Sequence, residues 1–254
     1  APFMACLAQN GRLDDTAIAR ISDDALRGAG LLLTDFTAVS AHGRITPESA
    51  GMYETDHLEA WSKVVASVHT HPTARIALQL GHAGRRGSTR PRTEGLDRPL
   101  RQGNWPLLAA SSLPYTPVSQ VPKEMACAAM ERVCNEFICA TKMAQEADFD
   151  MLLLNFAHGY LLASFLSPLT NIRTDEYGGD LKQRLRFPLE VFDVVRAVWP
   201  EDKPIAVAIS VTDYVKGGFA LKDAVVVAKA LKEHGCDILV VQAGQTTSEG
   251  EPTY

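Results

Sequence analysis

The chain has 254 residues, 46% hydrophobic and 22% charged, which is enough to bury a full core in one large α/β domain or two small ones. A formal net charge of -5 argues against a nucleic-acid-binding surface, which needs a clustered basic face. Five cysteines, odd in number and without a CxxC spacing, point away from a disulfide scaffold and towards a reducing, cytoplasmic setting.

In chain order, short apolar runs alternate with longer amphipathic segments, the pattern of a parallel sheet wrapped by helices. Ala1-Pro2-Phe3-Met4 reads as a strand end, already resembling the middle of something rather than a start. A helix over roughly 14–28 precedes the strand Gly30–Thr34, and a second helix over roughly 56–70 precedes Arg75–Leu80. His69-Thr70-His71 resembles a metal-ligand pair but falls at that helix's end, before Pro72, where a surface turn accounts for it; no metal site is expected. Residues 83–122 form a long loop rich in Gly, Pro and Arg, and loops of that length on a compact domain are usually functional. Arg85, Arg86, Arg90, Arg92, Arg98 and Arg101 gather there, readable as a solvated loop or as the rim of an anionic-ligand site.

The helix over roughly 124–147 carries apolar residues at Met130, Val133, Phe137 and Ala144, a core-facing stripe. Cys127 and Cys134, seven apart, are expected on that stripe as small core residues. Phe149–Leu154 is a strand, and residues 151–172 carry no Asp, Glu, Lys or Arg, a length that would suffice to cross a bilayer. Polar and turn-forming residues interrupt that stretch, so a buried strand and loop is expected rather than a membrane span. Asp180 with Gln183 makes a capping box at the start of a helix over roughly 180–199. Strands Ile205–Ser210 and Asp237–Val241 flank a helix over roughly 221–234, with Gly235 as its C-cap. About six strands with this spacing predict a (β/α)8 TIM barrel, incomplete here: the count leaves the last two strands and the N-terminal start outside residues 1–254, which otherwise form a single domain.

In such a barrel, ligands bind at the C-terminal ends of strands. Asn155, His158 and Tyr160 lie just past one such end. An amide and an imidazole three residues apart can converge on one carbonyl, and a phenol nearby can supply a proton to the electron-poor double bond that results. Three polar residues capping a strand-loop junction is the plainer reading. Gln79, inside a strand, needs partners: a neighbouring loop, or a bound heterocycle with donors and acceptors.

The strings His158-Gly159-Tyr160-Leu161, Phe165–Asn171, Arg173–Gly179 and Arg184–Phe187, with Leu78–Arg85 and Gly43–Thr46, resemble the old yellow enzyme family of flavin oxidoreductases over essentially the whole chain. Gly103–Pro106 through Ser119–Pro122 resembles most the oxidoreductase part of salicylyl-CoA hydroxylase-type proteins. The resemblance implies a barrel holding FMN at its mouth, with NAD(P)H as reductant and a small-molecule activated alkene, enone or enoyl, as hydride acceptor. Pro2, Phe3 and Met4 would lie along the ring, and Gln79 would bond its pyrimidine edge. Asn155 and His158 would grip the substrate carbonyl, and Tyr160 would donate the proton.

Several positions depart from the family pattern. Ala208 stands where an arginine usually faces the flavin, and loss of a cation aimed at developing charge costs about 3–4 kcal/mol in comparable sites. Asn155 replaces a frequent histidine, Leu153 an acidic residue, Phe3 a methionine and Gln242 a common serine. The resemblance places the family's phosphate loops on the last two strands, so the chain alone is expected to hold FMN weakly or not at all. These departures motivate the alternative of a non-catalytic flavin-fold remnant or scaffold domain. The reading allows a homo-oligomer and implies no nucleic-acid or membrane partner.

Overall fold

The computed structural model describes residues 8–26, 28–95 and 97–250. Pro2, Phe3 and Met4 lie outside the described residues, and so does the strand end expected there. Five main strands, β1 (Leu31–Ala38), β2 (Arg75–Gly81), β3 (Met151–Phe156), β4 (Ile205–Ser210) and β5 (Ile238–Gln242), lie in one sheet in chain order, all parallel. The two-residue strand Ala50–Gly51 extends the sheet beyond β1. Among the described residues the sheet stays open, with β5 and the Ala50–Gly51 strand at its edges.

The helices between them are α1 (Asp15–Leu26), α2 (Thr55–His69), α3 (Cys127–Glu146), α4 (Leu161–Leu166), α5 (Leu181–Val198) and α6 (Leu221–Glu233). All but α4 fall within a few residues of the segments that amphipathic periodicity predicts. Asp180 caps α5 through both bonds of the capping box, Asp180 Oδ1 accepting from Gln183 N–H at 2.9 Å. None of the helices is long and apolar enough to cross a membrane.

Strand alternation divides the core in two. Ile76, Leu78, Leu80, Leu152, Leu154, Phe156, Ile205, Val207 and Ile209 pack outward against the helices, joined by Val133, Phe137, Val191 and Phe192. The residues between them turn inward, forming a separate cluster of Ala77, Met151, Leu153, Ala157, Ala206 and Ala208. This inner cluster is the side-chain filling of a barrel interior, here made largely of alanine.

Two expectations fail. Cys127 is exposed, off the buried stripe of α3 that runs through Met130, Val133, Phe137, Ala140 and Ala144, whereas Cys134, half-buried, packs against the core as expected. Burial still pushes the Cys134 thiol up to about 11. Arg85 and Arg86 are not part of a solvated loop; both are buried, for reasons that belong to the site below.

Candidate active site at the C-terminal mouth

The inward-facing parity of β2, β3, β4 and β5 continues past the alanine layer to Gln79, Asn155, Ser210 and Gln242. Each strand end therefore carries a polar side chain where the strands below carry apolar ones. Gln79, Asn155 and Ser210 are buried, so their hydrogen bonds must be made internally.

Two backbone groups fix the orientation of the whole row. Ala157 N–H donates to Asn155 Oδ1 at 2.9 Å, so the amide nitrogen of Asn155 must face the other way. It donates to Gln79 Oε1 at 2.9 Å. Gln79 Nε2 then donates to the Thr34 carbonyl at 3.2 Å, which an oxygen in that place could not do. Asn155 Nδ2 also lies 3.4 Å from His158 Nδ1. A donor-only nitrogen facing Nδ1 makes that atom the acceptor and leaves the imidazole proton on Nε2.

His158 is held by its backbone as well. It adopts a left-handed conformation, φ 61°, followed by Gly159 at φ 67°. A Cβ at Gly159 would meet the Gln245 carbonyl oxygen at 2.5 Å, so glycine is required there for space as well as for φ. Ser210 Oγ accepts from His158 N–H at 3.1 Å, tying the turn to the end of β4. Burial, then the nearby Arg86 charge, pulls the imidazole down to about 4 against a lesser upward pull from a Gln242 hydrogen bond. His158 is thus a neutral group at neutral pH, able to donate a hydrogen bond without carrying charge.

Tyr160 is buried at the start of α4, its ring centroid 5.8 Å from that of His158 and 5.0 Å from that of Phe36. Ala208 is buried beside Asn155 in the β3–β4 register, in the layer beneath the polar row. The structure therefore brings together Gln79, Asn155, His158, Tyr160 and Ala208, expected from sequence to share a site. Asn155 is turned inward to Gln79 and Ala157 rather than outward, a detail its position in the sequence does not reveal.

Sequence reasoning placed Arg85 and Arg86 on a solvated loop or a ligand rim and missed that both are buried behind the site. Arg86 makes a two-pronged ion pair with Asp97, Nε–Oδ1 2.9 Å and Nη2–Oδ2 2.6 Å, and donates through Nη1 to the His158 carbonyl at 2.7 Å. Arg85 donates to the carbonyls of Leu113, Pro114 and Thr246. Burial pulls the Arg85 guanidinium down to about 10. The only local signal was arginine next to glycine, which reads equally well as surface. His69, by contrast, contacts Asp150 Oδ2 at 2.9 Å, far from the mouth at the N-terminal ends of the strands.

An oriented amide–imidazole–phenol row at the C-terminal rim of a βα-barrel sheet stands where barrels of this class bind their ligands. The model of the NADH:flavin oxidoreductase / NADH oxidase family matches residues 2–253. An NADPH dehydrogenase of Geobacillus sp. (strain WCH70) is 35% identical over 239 residues, covering 94% of this chain and 65% of that protein. An NADH:flavin oxidoreductase of Gibberella zeae is 34% identical over 259 residues, covering 96% of this chain and 62% of that protein. Among solved structures, Old Yellow Enzyme from Pichia sp. AKU4542 superimposes with a TM-score of 0.80 at 26% identity, covering 94% of this chain and 65% of that one. The chain belongs to the NADH:flavin oxidoreductase / NADH oxidase family, the old yellow enzyme family that its motifs resemble. It spans 62–65% of the length of the first two relatives named here.

The mouth can be tested against the ring of a flavin on its own atoms. A glutamine side chain has two N–H donors and two acceptor lone pairs. Gln79 uses one donor on Thr34 and one acceptor on Asn155, so among the described residues one of each remains for a ligand edge. The inner cluster beneath, Ala77, Met151, Leu153, Ala157, Ala206 and Ala208, is apolar throughout and mostly alanine, a surface on which a flat ring can lie. These residues fit the ring.

Proposed function

We propose that the protein is an FMN-dependent oxidoreductase that transfers reducing equivalents from NAD(P)H to the double bond of an enone or enoyl compound, on a single barrel domain spanning residues 1–254. The observation that carries this reading is the continuous row Thr34–Gln79–Asn155–His158, closed by the Tyr160 ring beside His158. Bound at this mouth, FMN supplies hydride-transfer chemistry that no side chain of the chain can provide.

Gln79 would hold the pyrimidine edge, and Pro2, Phe3 and Met4 would lie along the ring. Ala208 would border it, offering a methyl group and no charge. Asn155 and His158 act as the carbonyl-directed pair: Asn155 sets the imidazole tautomer, and the neutral imidazole donates to the substrate oxygen. Polarising that carbonyl draws electrons from the conjugated double bond. Tyr160 then gives its phenolic proton to the carbon that does not receive hydride. The buried Arg86 cation, 5.6 Å from the Tyr160 ring centroid, favours the phenolate left behind.

The test is NAD(P)H oxidation by the FMN-reconstituted protein with an enone. Tyr160→Phe and His158→Ala are each expected to slow turnover about 10²- to 10⁴-fold, the range for a lost general acid or carbonyl donor, while flavin stays bound. Wild-type rates in both variants would overturn the assignment. Flavin binding with no turnover in the parent would favour instead a non-catalytic relative, the reading that Ala208 supports.

A further inference from the structure

Arg86 has three kinds of partner, and together they enclose it. Two of its nitrogens are committed to Asp97. The third donates to the His158 carbonyl at 2.7 Å and more distantly to the backbone and side chain of Gln245. Its guanidinium carbon lies 4.1 Å from the Tyr115 ring centroid and 5.6 Å from that of Tyr160. It is 5% exposed, and the Asp97 side chain is 9% exposed, so the pair is screened little by water.

The carbonyl it grips belongs to the residue in the left-handed conformation. For a residue with a Cβ, that conformation is unfavourable by about 1–2 kcal/mol and persists only where surrounding contacts over-determine it. Ser210 holds the His158 N–H on one side and Arg86 holds its C=O on the other. Rotate that peptide and both the imidazole and the Tyr160 phenol, two residues on, point elsewhere.

We propose that Arg86 is a positioning residue for the 155–160 turn, oriented by Asp97, and that its grip on the His158 carbonyl fixes where the imidazole and the Tyr160 phenol point. The inference rests on the proposed roles of His158 and Tyr160, but its test does not need flavin. Asp97 sits in the long loop after β2, so the clamp also makes the reacting turn depend on the seating of that loop.

The groups facing the His158 ring are the amides of Asn155 and Gln242, the Tyr160 ring and the Arg86 charge. Histidine ring ¹⁵N NMR of the full chain without cofactor, titrated between about pH 3 and 8 and assigned with His158→Gln, reads this environment directly. Arg86→Met is expected to raise the His158 midpoint by about one unit or more, and Arg86→Lys to raise it less. Arg90→Met cuts a different tether of the same loop, Arg90 Nε to the Pro99 carbonyl at 3.1 Å, and should leave the midpoint where it is. If Arg86→Met does not fold, Arg86→Lys against Arg90→Met decides. An unmoved midpoint in the foldable Arg86 variants, or an equal rise in Arg90→Met, overturns the proposal. Lost turnover with an intact titration pattern would instead fault the assignment of His158 and Tyr160 to chemistry.

Discussion

The same strands carry polar residues at both ends, and the two ends behave differently. At the N-terminal ends, Asp150 accepts from His69 at 2.9 Å and from Ile76 N–H at 2.8 Å, and Lys203 donates to Asp148 and the Phe149 carbonyl. Those side chains are partly in water, Asp148 at 72% exposure, so each pair contributes little. At the C-terminal ends, Gln79, Asn155 and Ser210 are buried and neutral, and an ion pair with both partners largely shielded, Arg86–Asp97, is buried with them. Access to water separates the two faces, and residue type follows it: charged side chains at the wet end, neutral amides and a hydroxyl at the dry one. Where solvent is excluded, each polar group is committed to a partner and so to a direction, which is what a reacting site needs.

Mutation should reproduce that asymmetry. The largest effect is expected for Arg86→Met, which leaves the Asp97 carboxylate buried without its partner; breaking such a pair costs about 3–5 kcal/mol, readable as a fall in the urea midpoint. A loss under about 1 kcal/mol would place the pair among ordinary surface bridges. Next comes Asn155→Ala, which strands Gln79 Oε1 and the Ala157 N–H. A loss of about 1–3 kcal/mol is expected, and none would mean the row is not formed.

Acid should act at the mouth too. The His158 imidazole is held near 4, below its unfolded value of about 6.5, so the unfolded chain binds more protons between those values. Stability from this group is therefore present above about pH 6.5 and lost as pH falls towards 4. His82, fully buried and pulled down to about 3 chiefly by burial, contributes in the same direction. His158→Gln should flatten the acid limb measurably yet leave the His82 part; an unchanged limb would show that His158 titrates as if in water. Smallest of all, Lys203→Ala at the opposite end should cost no more than about 1 kcal/mol by the same denaturation.

Much of this was legible in the sequence. Continuous apolar strands and the three-and-four spacing of the helices follow from simple periodicity, and α5 carries its capping box in two residues. Gln79, Asn155, His158 and Tyr160 were visible because polar groups at the end of a buried strand are costly without purpose. The short helix α4 was not, since Leu161–Leu166, buried on every side and apolar but for Ser164, continues an apolar region without changing period. The burial of Arg85 and Arg86 was hidden for a different reason. Their partners, including the carbonyls of His158 and Thr246, stand 72 and 161 residues away, and no local pattern encodes that meeting. The inward turn of Asn155 depends in the same way on Gln79, 76 residues earlier.

We propose that this mouth, through Gln79, receives the edge of a flavin ring. Titrating the purified protein into FMN and following flavin fluorescence tests it most directly. Saturable quenching is expected, with binding weakened about tenfold in Gln79→Leu, as the loss of one hydrogen bond to a ligand requires. Quenching that does not saturate, or that saturates identically in Gln79→Leu, would contradict it.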